Sequence, residues 1–132
     1  MGLKYIGSFD HTASPAAAFD AFEYTAPADA SVVIHSCYLS QTSDMGDAAA
    51  ESIKVQFIKG YTVSGSTGGT AVINPMETGF PAYGGTLEVM NTTVANTGTP
   101  VVLHQDGWNI QLPYQYRPTP EERLIPSPSQ RL

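Results

Sequence analysis

Apolar and polar residues alternate one for one along much of this chain, and helical spacing is almost absent. Alternation with period two places successive side chains on opposite faces of a strand. The clearest case is the stretch 101–112, which reads VVLHQ, Asp106-Gly107, WNIQL. Asp-Gly suits the two positive-φ positions of a type I′ turn, so a two-residue hairpin is predicted there. Such a hairpin sets Gln105 opposite Trp108, Leu103 opposite Ile110 and Val101 opposite Leu112. Trp108, Ile110, Leu112, Tyr114 and Tyr116 then share one face, with Asn109, Gln111 and Gln115 on the other. One dry side and one wet side is an antiparallel signature.

Further strands are predicted at Lys4–Phe9, Phe19–Thr25, Glu51–Tyr61, Thr70–Ile73 and Thr86–Val94. Ser31–Gln41 (SVVIHSCYLSQ) is apolar on both faces, as expected of a central strand packed on two sides. Ser14 and Pro15 offer a helix start, but the alternation F-D-A-F-E-Y-T favours a turn at Ala13–Ala18 followed by a strand. A second helical turn is possible at Ser43–Glu51. The loops 63–69 and 74–85 are rich in Gly, Pro and Ser. Seven or eight short strands with turns between them predict an all-β fold, an antiparallel β-sandwich with the jelly roll as leading topology.

Five of the ten prolines fall in the last twenty residues. Proline fixes φ and removes a ladder donor, so this segment is predicted to be extended. The chain therefore divides into a sandwich domain, 1–116, and an extended proline-rich C-terminal arm, 117–132. Leu124, Ile125 and Leu132 give that arm apolar anchors.

Composition narrows the function. Only 14 % of the residues are charged, about half the usual share. A surface this poor in charge suits either a neutral Ser/Thr/Gly coat or contact with another subunit. Net charge is −6, and the six Lys and Arg residues are scattered, which argues against direct nucleic-acid binding. No stretch has the roughly twenty apolar residues of a membrane span. The N-terminus lacks the pattern of a secretory signal, and the myristoylation start at Gly2 fails because Ile6 stands where Ser or Thr is wanted. The single Cys37 forms no internal disulfide.

Candidate chemistry is sparse. His35 and Cys37 lie two apart on one strand, but no further ligand follows at zinc-site spacing, so no metal or other cofactor is expected. His104 has no sequence relation that would make Cys37 a nucleophile. Asp10, Asp44, Asp47, Glu121 and Glu122 supply carboxylates that no pattern sets across a cleft. Ser64–Gly69 lacks the lysine of a phosphate-binding loop and reads as a flexible hairpin loop. Trp108, Tyr114 and Tyr116 form either a sugar-stacking row or part of a core. Ile110 and Leu112 between them favour the core, with Tyr114 and Tyr116 expected nearest an edge or subunit contact. In the arm, Arg117, Glu121, Glu122 and Arg123 make either an exposed ion pair or a set of charges offered to a neighbouring subunit.

The hairpin VVLHQDGWNIQL, the tail YRPTPEERLIPSPSQRL and the low-charge strands between them resemble small β-sandwich proteins of tailed bacteriophages, the head decoration or cement proteins. The resemblance implies a non-enzymatic virion protein, made in the host cytoplasm, that sits on the capsid exterior. Its partner would be the major capsid protein, bridged by a homo-trimer or homo-dimer. The segments expected to reach the capsid or a neighbouring copy carry Leu3, Tyr5, Ile6, Tyr114, Tyr116, Arg117, Glu121, Glu122, Arg123, Leu124 and Ile125. In chains of this kind the Pro-Glu-Glu-Arg segment leads into further strand, which a partner would supply here. The alternative is a carbohydrate-binding, lectin-like or receptor-binding sandwich using Trp108 as its platform.

Overall fold

The computed structural model describes residues 2–11, 17–41 and 52–132. Most of the turn expected at Ala13–Ala18, and all of Ser43–Glu51 with Asp44 and Asp47, lie outside the described residues. The chain is all-β. In order come β1 (Tyr5–Gly7), β2 (Asp20–Thr25), β3 (Cys37–Leu39), β4 (Ser52–Val63), β5 (Gly69–Thr70), β6 (Ile73–Pro75), β7 (Thr86–Asn91), β8 (Asn96–Asn109) and β9 (Tyr114–Tyr116). A single 3-10 turn follows at Pro120–Glu122.

The strands pair, all antiparallel, into four small sheets: β1 with β6, β2-β7-β5, β3 with β9, and β4 with β8. The β4–β8 ribbon is the longest, with strands of 12 and 14 residues. Its register slips between Phe57 and Ile58 and again between Lys59 and Tyr61. At the second irregularity Gly60 and Gly98 both take positive φ, and a side-chain carbon on Gly60 would stand 2.2 Å from the Thr99 carbonyl oxygen. Only glycine lets the two backbones approach this closely.

The predicted Asp-Gly hairpin is not formed. Asp106 and Gly107 lie inside β8, opposite Val55 and Lys54 of β4, and Trp108 faces Ile53. The Asp106 carboxylate accepts a hydrogen bond from the Gly107 N–H at 2.8 Å, so its local turn-forming capacity is spent within the strand. The chain reverses at Asn109–Leu112, where the Asn109 side-chain oxygen accepts from Gln111 N–H and its carbonyl from Leu112 N–H. This is an Asx turn. Pairing with a twelve-residue partner outweighed a favourable dipeptide.

Ser31–Gln41 is not a central strand either. Only Cys37–Leu39 is regular, paired with β9 alone, and Val33 and Tyr38 are exposed. Upstream, its neighbour is the proline tail. Val32 N–H donates to the Pro126 carbonyl and Ile34 N–H to that of Leu124. A proline segment can accept from a strand but cannot donate at its prolines, so the pairing is one-sided and no regular ladder forms.

The tail lies along its own chain. Tyr24 and Leu132 exchange both backbone hydrogen bonds at 2.8 and 2.9 Å, Ala26 N–H donates to Gln130, and Ser129 N–H to Pro27. Leu124 is buried with Tyr114 and Tyr116, and Ile34, Cys37, Leu39, Val55, Phe57, Trp108 and Leu132 pack around them. The Phe57 and Tyr116 rings stack with centroids 4.6 Å apart, and His104 lies 5.0 Å from Tyr116.

Candidate functional site

The most chemically distinctive place in the molecule is a buried polar node between β2, β7, the 64–68 loop and the tail. Glu23 of β2 sits directly opposite Glu88 of β7. Like charges face to face across two strands repel, so the pair needs donors. Ser64 Oγ lies between them, 2.6 Å from Glu23 Oε1 and 2.9 Å from Glu88 Oε2. The Asn91 amide gives one hydrogen to each carboxylate, at 3.1 and 3.0 Å. Gly65 N–H donates to Glu23 Oε2 at 2.7 Å, and Gly68 N–H to Asn91 Oδ1 at 3.2 Å. Arg131 brings the countercharge, its Nε 2.6 Å from Glu23 Oε1. That approach is an ion pair without aligned hydrogen-bond geometry at Nε.

Glu23 is 3 % exposed and Asn91 2 %. With Ser64, Gly65, Asn91 and Arg131 gathered on it, the Glu23 carboxylate has no free lone pair to accept a substrate proton. The arrangement fastens four segments together and leaves no room for a reacting group. Nearby, Asp20 accepts from Ala95 N–H at 2.7 Å. Burial raises the Asp20 pKa above the ordinary carboxylate value, the Ala95 bond opposes that, and the Glu23 charge adds to it.

The 64–69 loop is therefore packed, against the expectation of a flexible hairpin. Ser66 and Thr93 exchange backbone hydrogen bonds. A side-chain carbon on Gly68 would stand 2.1 Å from the Val89 carbonyl oxygen and 2.5 Å from Asn91 Oδ1. Glycine is there for close approach. Sequence reasoning missed the node because its acids were read as ordinary strand positions. The available signal was an acid set between Phe22 and Tyr24 and another between Leu87 and Val89.

The residues singled out from sequence do not gather at one place. Leu3 and Ile6 are exposed at and beside β1, while Tyr5 is half-buried, its hydroxyl donating to the Pro81 carbonyl and its ring edge-on to Tyr83. Tyr114, Tyr116 and Leu124 are buried within this chain, which corrects the expectation that the two tyrosines emerge at an edge: the tail, through Leu124, covers them. Arg117, Glu121 and Glu122 are exposed, Arg123 is half-buried, and Ile125 is exposed. Glu122 is held in its turn by Thr119 Oγ1 and takes the Tyr116 hydroxyl on its carbonyl. Trp108 is half-buried against Tyr114, and its indole N–H donates to the Leu112 carbonyl.

Cys37 is half-buried, and burial pushes its thiol up to about 11. That is the character of an inert packed thiol. His35, two residues away, is exposed. Among the described residues no three His, Cys, Asp or Glu side chains gather as metal ligands would, and no helix is long and apolar enough to cross a membrane.

The other feature is a surface. Val101, Val102 and Leu103 of β8 are 46 %, 48 % and 37 % exposed, three apolar residues in succession on a strand whose only paired neighbour is β4. A trough opens beside them, between Leu103, His104 and Asp106 of β8 and Gln115, Tyr116 and Arg117. Comparison with family models, characterised proteins and solved structures finds no match to this chain.

Proposed function

We infer that this chain is a non-enzymatic virion structural protein that binds the outside of a bacteriophage capsid and bridges its major capsid subunits. The observation that carries the reading is the exposed apolar run of β8, on a chain poor in charge. Large exposed apolar strands on small domains mark contacts with other chains. The saturated hydrogen bonding of the buried acids supports a role without a reaction centre. The finer framework we assign is a jelly-roll-like sandwich with a proline-rich arm, working as a homo-trimer or homo-dimer on the virion exterior. Exposed Leu3, Ile6 and Ile125, with Arg117 and Glu121, are the residues we assign to contacts beyond the protomer.

The carbohydrate-binding alternative needs a free aromatic platform. Trp108 packs on Tyr114 with its indole N–H engaged, so the geometry favours assembly over sugar recognition. The test is co-sedimentation of the purified protein with capsids assembled from the major capsid protein, together with the heat stability of those capsids. Saturable binding that raises the capsid melting temperature is expected. Protein that stays in the supernatant at every concentration, with capsids no more heat-stable than before, refutes the reading.

A further inference from the structure

The outer edge of β8 is built to accept another strand. Among the described residues its one backbone partner is β4, so the opposite edge presents unpaired N–H and C=O groups over much of its 14 residues. Exposed edges of this kind are commonly guarded by lysine. β4 carries Lys54 and Lys59, but β8 has no lysine or arginine and a single acid, Asp106. The unguarded edge is also the apolar one, at Val101, Val102 and Leu103.

We propose that this edge pairs antiparallel with β8 of a second copy of the chain, about a two-fold axis near Val102. The inference rests on the assembly reading above and commits it to a dimer. Surface area supports a second copy. The chain exposes 8702 Å², whereas a compact monomer of 14.1 kDa exposes about 6,700 Å². The surplus exceeds the roughly 800 Å² that each partner contributes to a stable interface. Charge supports it too. With the axis at Val102, Asp106 of one copy falls opposite Gly98 of the other, and the two Asp106 residues stand about 27 Å apart along the strand. No like charges meet, and apolar residues pair with apolar ones. The same surface patch serves both copies, as two-fold contacts require.

Native mass measurement of the full chain at micromolar concentrations tests this. Wild type is expected at twice 14.1 kDa. Val102→Lys is expected at the monomer mass with an unchanged circular dichroism spectrum, because the side chain is exposed. Val72→Lys, exposed in the link between β5 and β6, should remain dimeric. In a Cys37→Ser background, oxidation of Val101→Cys, Val102→Cys and Leu103→Cys should give a disulfide-linked dimer for the position nearest the axis. A monomeric wild type, a dimer indifferent to Val102→Lys, or no cross-link at any of the three positions overturns the pairing. Capsid co-sedimentation of the same samples judges the assembly reading separately. Monomeric wild type that binds capsids, and loses that binding with Val102→Lys, assigns the edge to a capsid strand and overturns self-pairing alone.

Discussion

Removing the Arg131 charge isolates what the buried node contributes. Arg131→Met keeps much of the side-chain volume but leaves Glu23, 3 % exposed, facing Glu88 without a countercharge. Breaking a buried ion pair from one side costs about 3–5 kcal/mol. Two features place this case at the lower end. Ser64, Gly65 and Asn91 still donate to Glu23, and the Arg131 side chain is itself partly exposed. A loss of about 2–3 kcal/mol is expected, or roughly 8–12 °C in melting temperature for a chain of this length. Glu23→Gln tests the other side. Gly65 and Asn91 both donate to Oε2, so the amide oxygen must take that place and the NH2 must face Arg131. Donor then meets donor. In Glu23→Gln/Arg131→Met the conflict disappears, so the double variant should recover about 1–2 kcal/mol relative to the sum of the singles. Urea unfolding of the four proteins measures this coupling. A coupling below about 0.5 kcal/mol would falsify the view that Glu23 and Arg131 form one unit.

Leu124→Ala should cost about 2–4 kcal/mol in urea unfolding, while Ile125→Ala, exposed one residue later, should stay within about 0.5 kcal/mol; equal effects would mean the tail is not docked through Leu124. Gly68→Ala should destabilise by about 1–3 kcal/mol because the new methyl meets the Val89 carbonyl, whereas Gly69→Ala has 3.9 Å of clearance and should be near neutral; a tolerated Gly68→Ala contradicts the packed loop. Burial raises the Cys37 thiol to about 11 in the folded chain, so its thiolate fraction at pH 8 is about a hundredfold below that of an ordinary thiol. Labelling by a thiol reagent should be slower by that order than in the urea-unfolded chain, and rates within tenfold of each other would contradict it. The folded pKa lies above the unfolded one, so this contribution to stability is intact below about pH 9 and lost as pH rises toward 11, a slope that Cys37→Ser should remove.

Much of the fold was legible where the deciding information is local. Alternation over Glu51–Tyr61 and Thr86–Val94 located β4 and β7, and prolines marked the tail as irregular. The Asp106-Gly107 turn was misread because strand partnership is a long-range matter: the dipeptide suits a turn, but β4, some fifty residues earlier, takes it into a ladder. Proline content correctly indicated that the tail cannot donate regularly. It carried no information on whether the tail's carbonyls would be accepted by 32–34 or its last residue by Tyr24. The node was least legible of all. Glu23 draws its partners from residues 64, 65, 91 and 131, so no window of sequence contains the site.

The two unusual features of this chain are connected by how little apolar packing it has. Among the described residues only seven hydrophobic residues are fully buried, two of them alanines. A core that small leaves the relative placement of the four sheets weakly specified by burial. A hydrogen-bonded node specifies it by direction, because each donor of Ser64, Gly65 and Asn91 fits one arrangement of β2, β7 and the loop, and Arg131 adds the tail to it. Apolar side chains freed from core duty then stay on the surface, and β8 carries three of them in succession. Exposed in isolation they disfavour the lone chain; covered by another strand they return the missing apolar burial. Polar groups fixing the protomer and apolar groups joining it to others is thus one consistent division of labour, and it inverts the usual placement of the two.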